Sequence, residues 1–126
     1  MARILIIDDE EPFLRSLSIA VSKAGHVVME ASNGDEAARL FRANPADLVL
    51  TDIVMPGNDG LGFIMEVRRD FPTIPIVAMS GGITNSPLYL KLAERLGARK
   101  VFQKPFAVTE LLKAIEDLLV KVRAKQ

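Results

Sequence analysis

The sequence predicts an α/β fold, with a five-stranded parallel sheet covered on both faces by five helices. Two observations carry that prediction. Five short apolar runs, at residues 4–7, 27–30, 48–50, 76–79 and 101–102, alternate with longer amphipathic stretches. Most of these runs are apolar on successive residues, as expected of strands buried on both faces. A strand followed by a helix, repeated along the chain, joins parallel strands by crossovers and leaves helices on both sides of the sheet.

The helices follow from spacing and end signals. Leu14, Leu17, Val21 and Ala24 share a face, and Gly25 is a C-terminal stop. Asn33 and Glu36 have capping-box spacing ahead of Ala37, Leu40 and Phe41, and Pro45 closes that stretch. Leu61, Ile64, Met65 and Arg68 mark a third helix, ended by Phe71-Pro72. Leu88, Leu92, Ala93 and Leu96 mark a fourth, with Pro87 in its first turn and Gly97 beyond it. Leu111, Leu112, Ile115, Leu118, Leu119 and Val122 mark the fifth, and residues 124–126 read as a frayed end. No repeat, low-complexity segment or linker interrupts the pattern, so residues 1–126 read as one domain.

Composition narrows the function. Sixteen basic residues balance sixteen acidic ones, so no overall field draws in nucleic acid or an anionic membrane. The chain has no cysteine, which excludes disulfides and thiolate metal sites and fits a reducing compartment. No apolar run approaches the roughly 18 residues of a membrane span, and no signal-peptide pattern opens the chain. A cytoplasmic protein is the expectation. His26 reads as a strand-edge residue; with no second histidine, a transition-metal role is not expected.

The first apolar run ends in four consecutive acidic residues, Asp8-Asp9-Glu10-Glu11. Two unit charges about 4 Å apart repel by about 4 kcal/mol at an effective dielectric of about 20. Such groups either fan into water, for instance by opening a helix N-terminus, or gather around something cationic. In open parallel sheets, ligands sit beyond the carboxyl ends of the strands. Asp8-Asp9, Asp52, Ser80 and Lys104-Pro105 all fall at such ends. Three carboxylates, a hydroxyl and an ammonium suit a small hard cation together with a phosphoryl group. Mg²⁺ takes oxygen ligands, one or two of them carboxylates. Asp9 is expected to bind it directly, Asp8 directly or through water, and Asp52 and the Val54 backbone carbonyl to complete the protein's share. Asp52 is the candidate nucleophile, since a carboxylate can carry a phosphoryl group. Lys104 and Ser80 would neutralise and hydrogen-bond the phosphoryl oxygens.

These residues lie in "ILIIDDE", "DLVLTDIVMPGNDG", "IVAMSGG" and "VFQKPF". In that order, the four stretches resemble the receiver domain of bacterial two-component response regulators. The resemblance spans nearly the whole chain. It implies a flavodoxin-like, doubly wound sheet of order 2-1-3-4-5, and transfer of a phosphoryl group to Asp52 from a histidine kinase or phosphotransfer protein, with Mg²⁺. It implies that the module catalyses only its own phosphorylation and dephosphorylation, and that a switch through Ser80 and the last helices follows. The surface of the fourth helix, fifth strand and fifth helix would meet a downstream protein, and a phosphorylation-dependent homodimer is a further expectation. Pro105 matches a proline that follows a cis peptide bond in the family. No output domain follows Gln126, so the chain resembles a stand-alone receiver.

Departures from the family pattern sharpen the expectations. Val101 stands where an aromatic switch residue is usual, and Phe102 next to it should face the other side of the sheet. Asn58 replaces a usual apolar residue. Ala107 stands where a capping side chain is common. Gly81-Gly82 suggest a mobile loop beside the site. Two other functions compete: a phosphorylation-independent interaction module on the same fold, and a small Mg²⁺-dependent phosphatase working through an aspartyl-phosphate. The latter usually carries Asp-x-Asp after its first strand, where this chain has Asp-Asp.

Overall fold

The computed structural model describes residues 2–53, 60–81 and 86–124. Elements alternate as expected: β1 (Arg3–Ile7), α1 (Glu11–Lys23), β2 (Val27–Ala31), α2 (Gly34–Ala43), β3 (Leu48–Asp52), α3 (Gly60–Asp70), β4 (Ile76–Ser80), α4 (Ser86–Leu96), β5 (Lys100–Gln103) and α5 (Val108–Ala124). All strand pairings are parallel, in the order β2-β1-β3-β4-β5. This is the flavodoxin-like arrangement that the resemblance implied.

Two apolar layers hold the sheet. Leu5, Ile7, Val49, Ile76 and Ala78 pack under α2, α3 and α4 through Phe41, Phe63, Ile64 and Ala93. Ile4, Ile6, Leu48, Leu50, Val77 and Met79 pack under α1 and α5 through Leu14, Val21, Leu111 and Ile115. Successive strand residues point to opposite faces, so the continuous apolar runs of β1, β3 and β4 supply both layers at once. The edge strands differ from the expectation of full burial. β2 and β5 are only partly covered, and Val27 is 48% exposed. Each has one sheet neighbour, so solvent reaches its outer side.

Helix ends follow their signals with one change. Asn33 Oδ1 accepts the Glu36 amide at 2.8 Å, but the Glu36 carboxylate accepts from the Ser32 amide rather than from that of Asn33. The reciprocal half of the capping box is thus moved back one residue. Gly25 and Gly97, with φ of +98° and +128°, end α1 and α4 in a conformation that L side chains rarely adopt. α5 begins directly after Ala107, whose carbonyl accepts from the Glu110 and Leu111 amides and whose side chain has no capping oxygen. Among the described residues, no helix is long and apolar enough to cross a membrane.

His26 requires a correction. It precedes the edge strand but is buried, 8% exposed. Its Nδ1 accepts the Ala2 amide at 3.3 Å, and its Nε2 lies 2.9 Å from Glu116 Oε1. An accepting Nδ1 leaves the proton of the neutral ring on Nε2, which then donates to the carboxylate. The residue fastens the start of β1 to α5, at the opposite end of the sheet from the acidic residues.

Candidate functional site

β1 runs out at Ile7, and the Asp8 amide extends its ladder by donating to the Ala31 carbonyl at 3.1 Å. Alternation carries Asp8 to the same face as Ile4 and Ile6, the α1/α5 face. Asp52, the last residue of β3, follows Leu48 and Leu50 to that face as well. The register pairs Ile6 with Leu50, so the two carboxylates arrive side by side. Asp8 is fully buried and Asp52 is 4% exposed, whereas Asp9 is open to solvent. One carboxylate oxygen from each of the three lies within 4.8 Å of the others. An oxygen-only donor set of this size fits a hard divalent cation that keeps several waters.

Lys104 enters from the other side of the sheet's order. Its amide donates to the Ser80 carbonyl at 2.9 Å, which continues the β4–β5 ladder, and the Lys104–Pro105 peptide is cis. Its Nζ reaches across to Asp8 Oδ2 at 2.7 Å and Asp52 Oδ2 at 3.3 Å, with Glu10 Oε1 at 3.8 Å. The side chain is 11% exposed. Burial alone would lower its pKa; the hydrogen bond to Asp8 and the charges of Asp52 and Asp8 outweigh burial and hold it above the ordinary lysine value. Asp8 is fixed further, because its Oδ1 accepts the Glu10 amide at 2.9 Å.

Four of the residues singled out in the sequence, Asp8, Asp9, Asp52 and Lys104, therefore meet. Ser80 is fully buried at the end of β4, and its carbonyl receives Lys104. Alternation puts it on the Ala78 face, across the sheet's rim from Asp52. Pro105 is exposed. Val101 packs into the layer under α2, α3 and α4, and Phe102 into the opposite layer, so the two do point apart. Val54, Asn58 and residues 82–85 lie outside the described residues, and with them the expected carbonyl ligand and most of the expected loop.

Gly60 and Phe13 escaped the sequence reading, and Gly81 was read only as part of a mobile loop. A Cβ at Gly60 would collide with the Asp52 carbonyl oxygen and lie 2.8 Å from Ile53 Cα. The first turn of α3 thus rests directly on the backbone that carries Asp52. A Cβ at Gly81 would lie 2.9 Å from Lys104 Cδ, so the missing side chain leaves room for the lysine stem. Phe13, in the first turn of α1, places its ring centroid 4.2 Å from Lys104 Nζ. An aromatic placed four residues after an Asp-Asp pair was the only trace of it in the sequence.

The chain is similar to known proteins in sequence and fold. A family profile described as "Response regulator receiver domain" matches residues 4–116. Protein PilH of Pseudomonas aeruginosa is 35% identical over 119 residues, covering 94% of this chain and 98% of its own. A response regulator receiver domain protein from Clostridium thermocellum superposes with a TM-score of 0.92 at 27% identity, each chain covered in full. NtrX from Brucella abortus superposes with a TM-score of 0.90 at 30% identity over 98% of this chain. There the match spans only 28% of the longer protein.

Proposed function

The chain belongs to the response regulator receiver family, and on that premise we propose that Asp52 accepts a phosphoryl group from a phosphohistidine. The single observation that carries this reading is the meeting of three carboxylates within 4.8 Å, with the Lys104 ammonium on two of them. Buried at the rim, Asp52 is a carboxylate nucleophile with little covalent work to do beyond alignment. An Asp52 oxygen attacks phosphorus, the P–N bond to the donor imidazole breaks, and the imidazole keeps the electron pair and takes up a proton. Asp9, Asp8, Asp52 and the Val54 carbonyl would hold Mg²⁺, which supplies charge neutralisation to the transferring group. Lys104 neutralises a phosphoryl oxygen once the group sits on Asp52, and the Ser80 hydroxyl donates to another. Lys104 thereby leaves its resting contacts with Asp8 and Asp52, and the response of Lys104 and Ser80 shifts a two-state equilibrium.

A histidine kinase or phosphotransfer protein is the donor, and the cytoplasm the compartment. Downstream contact is assigned to α4, β5 and α5, where Leu88, Leu92 and Val108 are exposed. A second copy of the chain is one partner proposed for this surface. The test is incubation with acetyl phosphate and Mg²⁺. A mass gain of one phosphoryl group, lost in Asp52→Asn, supports the reading, and sizing of the product reads dimerisation. No gain with any donor leaves a phosphorylation-independent module. Turnover of a small phosphoester that survives Asp52→Asn points to a phosphatase instead.

A further inference from the structure

We infer that Phe13 is a positioning residue for Lys104, an inference that rests on the phosphoacceptor reading of the site. The Phe13 ring presents its face to the Lys104 ammonium at 4.2 Å. The negative face of an aromatic ring attracts a cation, most strongly where water is excluded, and the lysine side chain is 11% exposed. The ring is itself held. Phe106 meets Phe13 edge-on, with centroids 6.1 Å apart and planes at 90°. Phe102 packs against Phe106 in a tilted pair, with centroids 5.3 Å apart and planes at 51°. Phe102 and Phe106 flank Lys104 by two residues on either side. The segment that delivers the lysine therefore also delivers the rings that brace Phe13.

The need for such a seat follows from the lysine's choices. Its stem is long and flexible, and an ammonium is a point charge with no directional fork. Asp8 and Asp52 attract it inward, at 2.7 and 3.3 Å. Glu10, largely exposed, competes from the solvent side at 3.8 Å. The Phe13 face adds attraction at the inner position without adding a hydrogen bond that must be broken when a phosphoryl group arrives. An aliphatic side chain would fill the same space but would not attract the charge. That difference separates positioning from packing.

The test compares Phe13→Leu, which keeps an apolar side chain, with Phe13→Tyr, which keeps the π-face. Two quantities are read at saturating Mg²⁺: the rate constant for phosphoryl uptake from acetyl phosphate, and the NMR shift of the Lys104 ε-methylene protons. Mg²⁺ affinity is measured alongside. Phe13→Leu is expected to slow uptake roughly two- to thirty-fold, the span of a partly to fully desolvated cation–π contact. It should also abolish an upfield ring-current shift at Lys104 and leave Mg²⁺ affinity within about twofold, since a phenyl ring offers no oxygen ligand to the ion. Phe13→Tyr should restore both rate and shift. Uptake at the wild-type rate in Phe13→Leu, or equal slowing in both variants, overturns the inference. So does a wild-type lysine without the ring-current shift, a measurement that needs no variant to fold. Absence of phosphoryl uptake by the wild type would instead overturn the reading of the site, while the shift still reports whether the ring seats the ammonium.

Discussion

Replacing Asp52 by Asn tests the electrostatics of the site before any phosphoryl chemistry. In the metal-free protein, Asp52 faces two like charges and one opposite charge. With oxygens of Asp8 and Asp9 no more than 4.8 Å away, each repulsion is at least about 3.5 kcal/mol at an effective dielectric of about 20. Lys104 at 3.3 Å returns about 5 kcal/mol on the same scale. The balance is about 2 kcal/mol of net repulsion, to which the desolvation of a buried carboxylate adds. Asn keeps the shape and removes the charge, and Lys104 keeps its shorter contact with Asp8. Asp52→Asn should therefore raise Tm in EDTA at neutral pH. About 2 kcal/mol corresponds to roughly 6–10 °C in a domain of this size. Differential scanning calorimetry of both proteins, with and without Mg²⁺, is the assay. Mg²⁺ should stabilise the wild type more than the variant, narrowing the gap. A lower Tm for metal-free Asp52→Asn would refute the reasoning, because it would mean that attraction to Lys104 outweighs crowding.

The lysine, the glycine and the cap give further expectations. Removing the ammonium takes a positive charge from the pocket, so Lys104→Ala should bind Mg²⁺ at least as tightly as the wild type while phosphorylation ceases to change conformation. Titration calorimetry showing lost metal binding would refute the assigned role. Because the folded pKa of Lys104 lies above its ordinary 10.5, its stabilisation is complete below that pH and is lost as pH rises through the higher folded value. The Tm gap between wild type and Lys104→Met should thus stay constant from neutral pH to about 10 and shrink above it, as read by thermal melts across alkaline buffers. Gly60→Ala drives a methyl group into the Asp52 carbonyl and should cost about 1–3 kcal/mol in urea unfolding, with slower phosphoryl uptake in the folded fraction. Asn33→Ala removes the α2 cap, two strands away from Asp52, and should cost about 1 kcal/mol, with the uptake rate unchanged.

What could be read in the sequence tracks how local its cause is. β1 and β4 announced themselves because burial on both faces demands apolar residues in succession. The apolar run of β3 stops at Leu50, but the strand continues through Thr51 to Asp52, where the sequence reading had placed its end. Those two polar residues bring the acid to the rim. The edge strands were read as buried because their composition resembles that of the central ones; their exposure depends on strand order, which alternation does not encode. His26 reads as a strand-edge residue for the same reason; its burial, and its contact with Glu116 on a helix 90 residues away, depend on packing that the local sequence does not encode. Gly60 and Gly81 look like ordinary loop glycines until α3 and Lys104 are seen to approach them.

The convergence of the site was legible in outline because it is a consequence of period. Asp8 stands two residues beyond Ile6, and Asp52 two beyond Leu50, and those residues are paired across adjacent strands. A shift of either strand by one residue would send one carboxylate to the α2/α3/α4 face and leave the other alone with Lys104. The same count places Met79 beside Asp52 and Phe102 beside Met79, so the aromatic of β5 falls on the lysine's side of the sheet. Val101 consequently brings no ring of β5 to the opposite face, while Phe102, Phe106 and Phe13 collect around the ammonium. The residue that departs from the family pattern and the rings that seat the lysine are thus two results of one alternation along β5.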